Sequence, residues 1–217
     1  MQISMPWREI LVVAGAYLLG CLSTGYYLVR WRRGIDVRTI GSRTTGAFNV
    51  ARVLNAPGFV LTLAGDVFKG WTALAVARYF ELDSWALMLA MAAVVLGHDF
   101  PIQLGFRGGN GLATASGALL VFDLQLAIAL AILFCLSLPI LGLLKAALNL
   151  PIQYYTPSKV TVLAAPVMAV ALGRAWWVAL GLAAVVAVIM WTIRGNMRRL
   201  AQEKVNRTNP PPTGTPV

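Results

Sequence analysis

Three groups of polar residues interrupt an otherwise apolar sequence of 217 residues, and each suits the handling of anions. The first, Gly41-Ser42-Arg43-Thr44-Thr45-Gly46-Ala47-Phe48-Asn49-Val50-Ala51-Arg52, mixes small residues, hydroxyls and arginine. Small residues let backbone N–H groups approach an anion, Ser42, Thr44 and Asn49 can hydrogen-bond it, and Arg52 can grip phosphate oxygens bidentately. The second is Asp66-Val67-Phe68-Lys69-Gly70, in which Asp66 and Lys69 are three apart and share a helix face. The third is Gly97-His98-Asp99-Phe100-Pro101 with Phe106-Arg107-Gly108-Gly109-Asn110-Gly111-Leu112-Ala113-Thr114. A glycine-rich loop entering a helix near Gly111 offers N–H groups and the positive end of a helix dipole to phosphate. It is not a P-loop, because the Gly-Lys-Ser/Thr ending is missing. Each group also has a plainer reading: a solvated loop that sets topology, a mutually neutralising ion pair, glycines for tight packing. His98, the only histidine, could equally be a hydrogen-bonded structural group.

The elements that must position these residues are membrane helices. The chain is 59% hydrophobic and 12% charged, against about 25% charged in a soluble domain. Ile10 to Val29 is an uncharged run long enough to cross ~30 Å of hydrocarbon. Further apolar segments run over 53–80, 85–97, 112–122, 124–144, 160–173 and 175–193. Several are too short to span alone as straight helices, and irregular backbone at membrane depth is tolerated only inside protein or beside water. The pattern therefore predicts an all-α polytopic protein of about seven transmembrane helices, several short or broken around a cytoplasm-facing polar cavity. All lysines and arginines except Arg8, Lys69, Arg78 and Arg174 fall in 30–56, 98–111, 145–159 and 194–217. The positive-inside rule puts those loops in the cytoplasm and the N-terminus outside. The net charge of +10 then reflects topology and contact with anionic lipid or substrate, not nucleic acid. Residues 1–200 read as one integral membrane domain, and 201–217 as a basic, Pro/Thr-rich cytoplasmic tail expected to be disordered. Cys21 and Cys135 lie in apolar runs and read as packing residues.

Taken together and in order, the motifs resemble those of the bacterial acyl-phosphate:glycerol-3-phosphate acyltransferases, the PlsY family. The family's G-S-G-N-x-G-A-T-N-V-x-R resembles Gly41 to Arg52, and its D-x-x-K-G resembles Asp66 to Gly70. Its G-H-x-F/Y-P and F-x-G-G-K-G-V-A-T resemble Gly97 to Pro101 and Phe106 to Thr114. A C-terminal R-x-N-I-x-R-L resembles Arg194 to Leu200. The resemblance implies a multi-pass protein of the bacterial plasma membrane, acting as a monomer on a cytoplasmic site without metal or cofactor. Its partners would be acyl phosphate, glycerol 3-phosphate and membrane lipid, and its product lysophosphatidic acid.

On that resemblance Ser42, Arg52, Asp66 and His98 are the expected catalytic residues. Gly41, Arg43, Gly46, Asn49, Lys69, Gly108, Gly109, Asn110, Gly111, Thr114, Ser158 and Asn196 are expected to bind substrate or phosphate. Several positions depart from the family pattern. Arg43-Thr44 replaces Gly-Asn, Phe48 replaces threonine, Ile193 replaces histidine, and Asn110 stands where the family has lysine. Loss of one charge-assisted phosphate contact costs on the order of 1.5–3 kcal/mol. Arg43 is the expected replacement for that charge. The departures keep a second reading open, a paralogue with altered substrate or one that binds without catalysing.

Overall fold

The structure, a computed structural model, describes residues 6–148 and 157–208. Among them are eight α-helices: α1 (Pro6–Cys21), α2 (Thr24–Arg33), α3 (Ala47–Tyr79), α4 (Ser84–Asp99), α5 (Leu112–Phe122), α6 (Leu124–Leu148), α7 (Pro157–Ala171) and α8 (Trp176–Thr208). Two short 3-10 turns, Val37–Thr39 and Ile102–Leu104, lie in the loops after α2 and α4. Five stretches, Trp7–Arg33, Ala47–Tyr79, Ser84–Leu104, Leu124–Leu144 and Trp176–Gln202, are long and apolar enough to cross a bilayer. The helices 112–122 and 157–171 are apolar but shorter.

The expected segments are all present, with three corrections. The uncharged run 10–29 is not one helix: it stops at Cys21 and restarts at Thr24. Residues 47–52, expected in a loop, already belong to α3, which is itself broken at Asn55 (φ 55°, ψ −153°), two residues before Pro57. Pro57 cannot donate the N–H that would bond to the Val53 carbonyl, so the helical ladder is interrupted in this same turn. The last helix continues into the expected disordered tail as far as Thr208, while 209–217 lie outside the described residues, as do 149–156 of the polar break.

Helix ends follow local chemistry. Asp83 caps α4 by accepting from the Ala86 N–H at 2.8 Å, and Asp123 accepts from the Leu126 N–H at 3.0 Å at the start of α6. The Asp123 carboxylate also pairs with Arg174 at 2.7 Å, which ties the α7–α8 turn to α6. Gly34, at φ 70°, closes α2 in the left-handed conformation.

α4 is the axis of the bundle: Ala90, Met91, Val94 and Val95 are buried, and it packs against α1, α3, α5 and α8. Helix approach in lipid relies on small residues, because apolar contact alone gains little over lipid tails. Gly20 of α1 meets Gly97 of α4 backbone to backbone, and Gly70 of α3 lies against the Thr114 carbonyl of α5. A side chain at any of these glycines would overlap the neighbouring helix. These contacts bring the ends of α1 and α4 together and set the start of α5 against the middle of α3.

Candidate active site

The loop from Asp36 to Arg52 is organised by two side chains. Asn49, buried at the start of α3, donates to the Val37 and Thr44 carbonyls at 2.9 and 2.8 Å and accepts from the Ser42 N–H at 2.9 Å. Its amide is thereby occupied within the loop, so the structure makes it a loop organiser where the sequence suggested a substrate ligand. Gly41 has φ 53°, and a Cβ there would overlap Asn49 and press on the Arg52 side chain at 2.6 Å. Glycine is thus required for the turn and lets the Arg52 stem lie across it. Ser42 Oγ and Thr44 Oγ1 are 3.1 Å apart on the same turn. This loop joins the glycine-rich loop directly through a hydrogen bond from the Thr45 N–H to the Gly108 carbonyl, 3.3 Å.

Arg38 anchors both loops and was missed by motif reasoning. Its guanidinium pairs with Asp36 at 2.8 Å and donates to the Leu104 and Arg107 carbonyls at 2.6 and 3.0 Å. It also lies over the Tyr26 ring. Partial burial raises the Asp36 pKa, but the hydrogen bonds and charge of Arg38 outweigh it and hold the carboxyl below its ordinary value.

The second cluster lies deeper. Lys69 is 4% exposed, and its ammonium has three partners: Asp66 Oδ1 at 3.0 Å, His98 Nδ1 at 2.7 Å and the Leu22 carbonyl at 2.9 Å. The contacts with the Leu22 carbonyl and His98 Nδ1 are hydrogen bonds, and the contact with Asp66 is an ion pair. The Leu22 carbonyl is available because α1 stops there, and the neighbouring Cys21 carbonyl accepts from Gln103 Nε2 at 2.5 Å. Ions this deep persist only when paired and hydrogen-bonded. His98 Nδ1 accepts from a cation, which leaves the proton of the neutral ring on Nε2, against Gly109. Asp66 and His98 are therefore engaged with Lys69 and with the packing of Gly109. The structure thus brings these two expected catalytic residues together in one buried cluster with Lys69.

The glycine-rich loop also differs from expectation. The Gly108 N–H donates to the Asp99 carbonyl at 3.0 Å, and the Gly109 N–H to the His98 carbonyl at 3.1 Å. These two N–H groups close the end of α4 and are not offered to an anion. Gly111, at φ 68°, opens α5 without a side-chain cap. Thr114 is buried at the α3–α5 crossing and does not line a cleft, and Gly46 serves as the residue before α3.

Between this loop and α8 is an open cleft. Arg107, Gly108 and Gly109 form one wall, Thr192, Asn196 and Arg199 the other, and Asp99 lies between them. Arg107 and Arg199 are exposed at the mouth, whereas Asp99 is 1% exposed. Phe100, Phe106 and Trp191 add an apolar edge. The expected substitute for the missing lysine, Arg43, is not among the lining residues; the cations here are Arg107 and Arg199. Asn110 accepts from Asn196 Nδ2 at 2.8 Å, so the two candidates are paired with each other. Ser158 opens α7, which packs on α6 and α8 and contributes nothing to the described lining.

Known proteins match this arrangement over nearly its full length. The family profile described as glycerol-3-phosphate acyltransferase matches residues 10–203. "Glycerol-3-phosphate acyltransferase 1" of Desulfitobacterium hafniense is 40% identical, covering 92% of this chain and 94% of its own. "Glycerol-3-phosphate acyltransferase" of Thermus thermophilus is 37% identical over 86% of this chain and 88% of its own. Among solved structures, PlsY (YgiH), an integral membrane glycerol 3-phosphate acyltransferase in its glycerol 3-phosphate form, superposes with a TM-score of 0.73 at 29% identity. That match covers 90% of this chain and 93% of the other.

Proposed function

This chain belongs to the glycerol-3-phosphate acyltransferase family, and from that premise we propose that it transfers a fatty acyl group from acyl phosphate to the 1-hydroxyl of glycerol 3-phosphate. Acyl transfer to glycerol 3-phosphate, a step of phospholipid synthesis, follows from the relatives and the solved structures. Acyl phosphate as the donor, a cytoplasmic site in the plasma membrane, an outside N-terminus and a monomeric state are our reading. The distribution of cations between inside and outside loops supports the orientation.

The observation that carries the reading is the Thr45–Gly108 hydrogen bond, because it joins the loop of Ser42 and Arg52 to a wall of the cleft that holds Arg107 and Arg199, two segments far apart in sequence. Two phosphate-bearing substrates require two cationic niches. The loop with Ser42 and Arg52 suits one phosphate, and the cleft with Arg107, Arg199 and Asn196 suits the other. Acyl phosphate carries a good leaving group, so no nucleophilic side chain is required. Catalysis then consists of alignment and charge neutralisation. The acyl chain leaves the cleft past Phe100, Phe106 and Trp191 toward lipid. Asp66, Lys69 and His98 act as positioning residues that hold the loops over the site.

The purified protein in detergent or lipid, given acyl phosphate and glycerol 3-phosphate, should release phosphate and form lysophosphatidic acid. The corresponding acyl thioester should not replace the donor. Turnover with the thioester alone would refute the donor assignment. A second reading, binding without turnover, is favoured by the Asn196–Asn110 pair, which stands where the family pattern has a lysine. Substrate binding with no turnover would establish it.

A further inference from the structure

Four cations lie outside the loops assigned to the cytoplasm, and three of them have protein partners. Lys69 belongs to the buried cluster, Arg174 pairs with Asp123, and Arg78 donates to the Phe122 carbonyl at 3.0 Å. Arg8 is the fourth. Its guanidinium lies over the Phe80 ring, 5.9 Å from the centroid, and has no hydrogen-bond acceptor among the described residues. It stands at one end of a groove of about 400 Å³ between α1 and α3. Leu11, Gly15 and Leu19 line this groove from α1, and Ala73, Val76 and Phe80 from the end of α3. Ala16 and Ala73 are buried at its floor, whereas Leu11, Val76 and Phe80 are exposed at its rims. Gly15 is not required for helix approach: a Cβ there would meet nothing within 4 Å, in contrast to Gly20. Glycine in mid-helix costs about 1 kcal/mol relative to alanine, and what it leaves here is open space.

Dimensions and charge fix what fits. Arg8 and Leu19 are eleven positions apart, about 17 Å along a helix, close to half of the ~30 Å hydrocarbon core. The groove is thus about as long as one leaflet is deep. Arg8 is the only charged residue in its lining, and Trp7 beside it suits headgroup level. A guanidinium grips phosphate oxygens, so a single acyl chain ending in a phosphate matches both the walls and the end of the groove. The catalytic loops lie toward the other end of α1, where Lys69 bonds the Leu22 carbonyl, so this occupant is not the reacting substrate. We propose that the groove binds one glycerophospholipid, with an acyl chain laid between α1 and α3 and the phosphodiester on Arg8. The orientation proposed above puts the site in the outer leaflet. The lipid bridges α1 and α3 away from the active cleft.

Native mass spectrometry of the full chain in detergent tests the site with two probes. One is palmitoyl-oleoyl phosphatidylglycerol, and the other is the diacylglycerol of the same chains, which lacks the phosphate. Wild type should bind the first roughly ten- to a hundred-fold tighter, the usual worth of a charge-assisted hydrogen bond. Arg8→Gln should lose that preference. Gly15→Leu, which fills the groove, should weaken both lipids by roughly tenfold or more. A preference retained in Arg8→Gln would put the phosphate on other cations and overturn the proposal. Undiminished binding in Gly15→Leu would overturn it for the groove. A dimer that dissociates in Gly15→Leu would show a second copy of the chain in the groove, with the same consequence. Wild type that binds both lipids equally, or neither, overturns it without any variant, even if the substitutions do not fold. The measurement needs no turnover, so it stands or falls apart from the acyltransferase reading.

Discussion

Replacement of Lys69 by methionine would test the buried cluster most directly. The ammonium faces the Asp66 carboxylate, the His98 ring and the Leu22 carbonyl at 3.0, 2.7 and 2.9 Å, and Lys69 is only 4% exposed. Methionine fills similar volume but donates nothing, so the damage is electrostatic. Removing one member of a buried ion pair costs about 3–5 kcal/mol, because the remaining charge is uncovered. The Leu22 carbonyl loses its donor as well, for about 1–3 kcal/mol more. The sum is a large share of the roughly 5–15 kcal/mol typical of a folded protein. By the size scaling of soluble domains it corresponds to roughly 8–30 °C in Tm. The assay is tryptophan-detected thermal unfolding in detergent, with size exclusion to confirm the starting state. Asp66→Asn combined with Lys69→Met removes the uncovered charge and should recover at least about 2 kcal/mol of the loss. A single variant that melts within about 2 °C of wild type, or a double variant whose loss is the plain sum of the singles, would refute the ion-pair account.

Arg52→Ala should reduce kcat/KM by roughly ten- to a hundred-fold through one lost charge-assisted phosphate contact, with Arg52→Lys intermediate; unchanged kinetics in a coupled phosphate-release assay would remove Arg52 from the site. Gly109→Ala would force its Cβ into the His98 ring and should sharply reduce folded yield and activity, whereas Gly142→Ala, with open space around it, should be neutral in the same thermal assay. Asp36 has a depressed pKa in the folded state, so its pairing with Arg38 stabilises the protein above the ordinary carboxyl pKa of 3.8, and that contribution fades as pH falls through the lower folded value. Wild type should therefore melt above Asp36→Asn at neutral pH, and the gap should close below pH 3.8; a gap constant down to low pH would contradict the pairing.

Much of this was legible in the sequence, for identifiable reasons. Charge within apolar runs located the helices and their loops, since lipid tolerates few ions. The Asp66–Lys69 pair follows from helical spacing alone, but His98 is twenty-nine positions further on, and its arrival depends on the Gly20–Gly97 and Gly70–Thr114 approaches. The break after Cys21 had no local signal, because Leu22 and Ser23 do not break helices on their own; its cause is Lys69 and Gln103 from other segments. The glycine-rich loop was misread in one respect. Its composition announces accessible N–H groups, but only the path of the chain shows that Gly108 and Gly109 bond back to the end of α4.

The interruption between α1 and α2 also constrains how the protein is made. While the first segment is alone in the bilayer, nothing is present to bond the carbonyls of Cys21 and Leu22 except the next turn of its own helix. Lipid does not tolerate unbonded backbone, so the nascent segment must enter as one continuous rod. The rod can divide only after α3 delivers Lys69 and the loop after α4 delivers Gln103. The division of the first span is therefore a property of the assembled bundle, sustained by donors from segments that follow it in sequence.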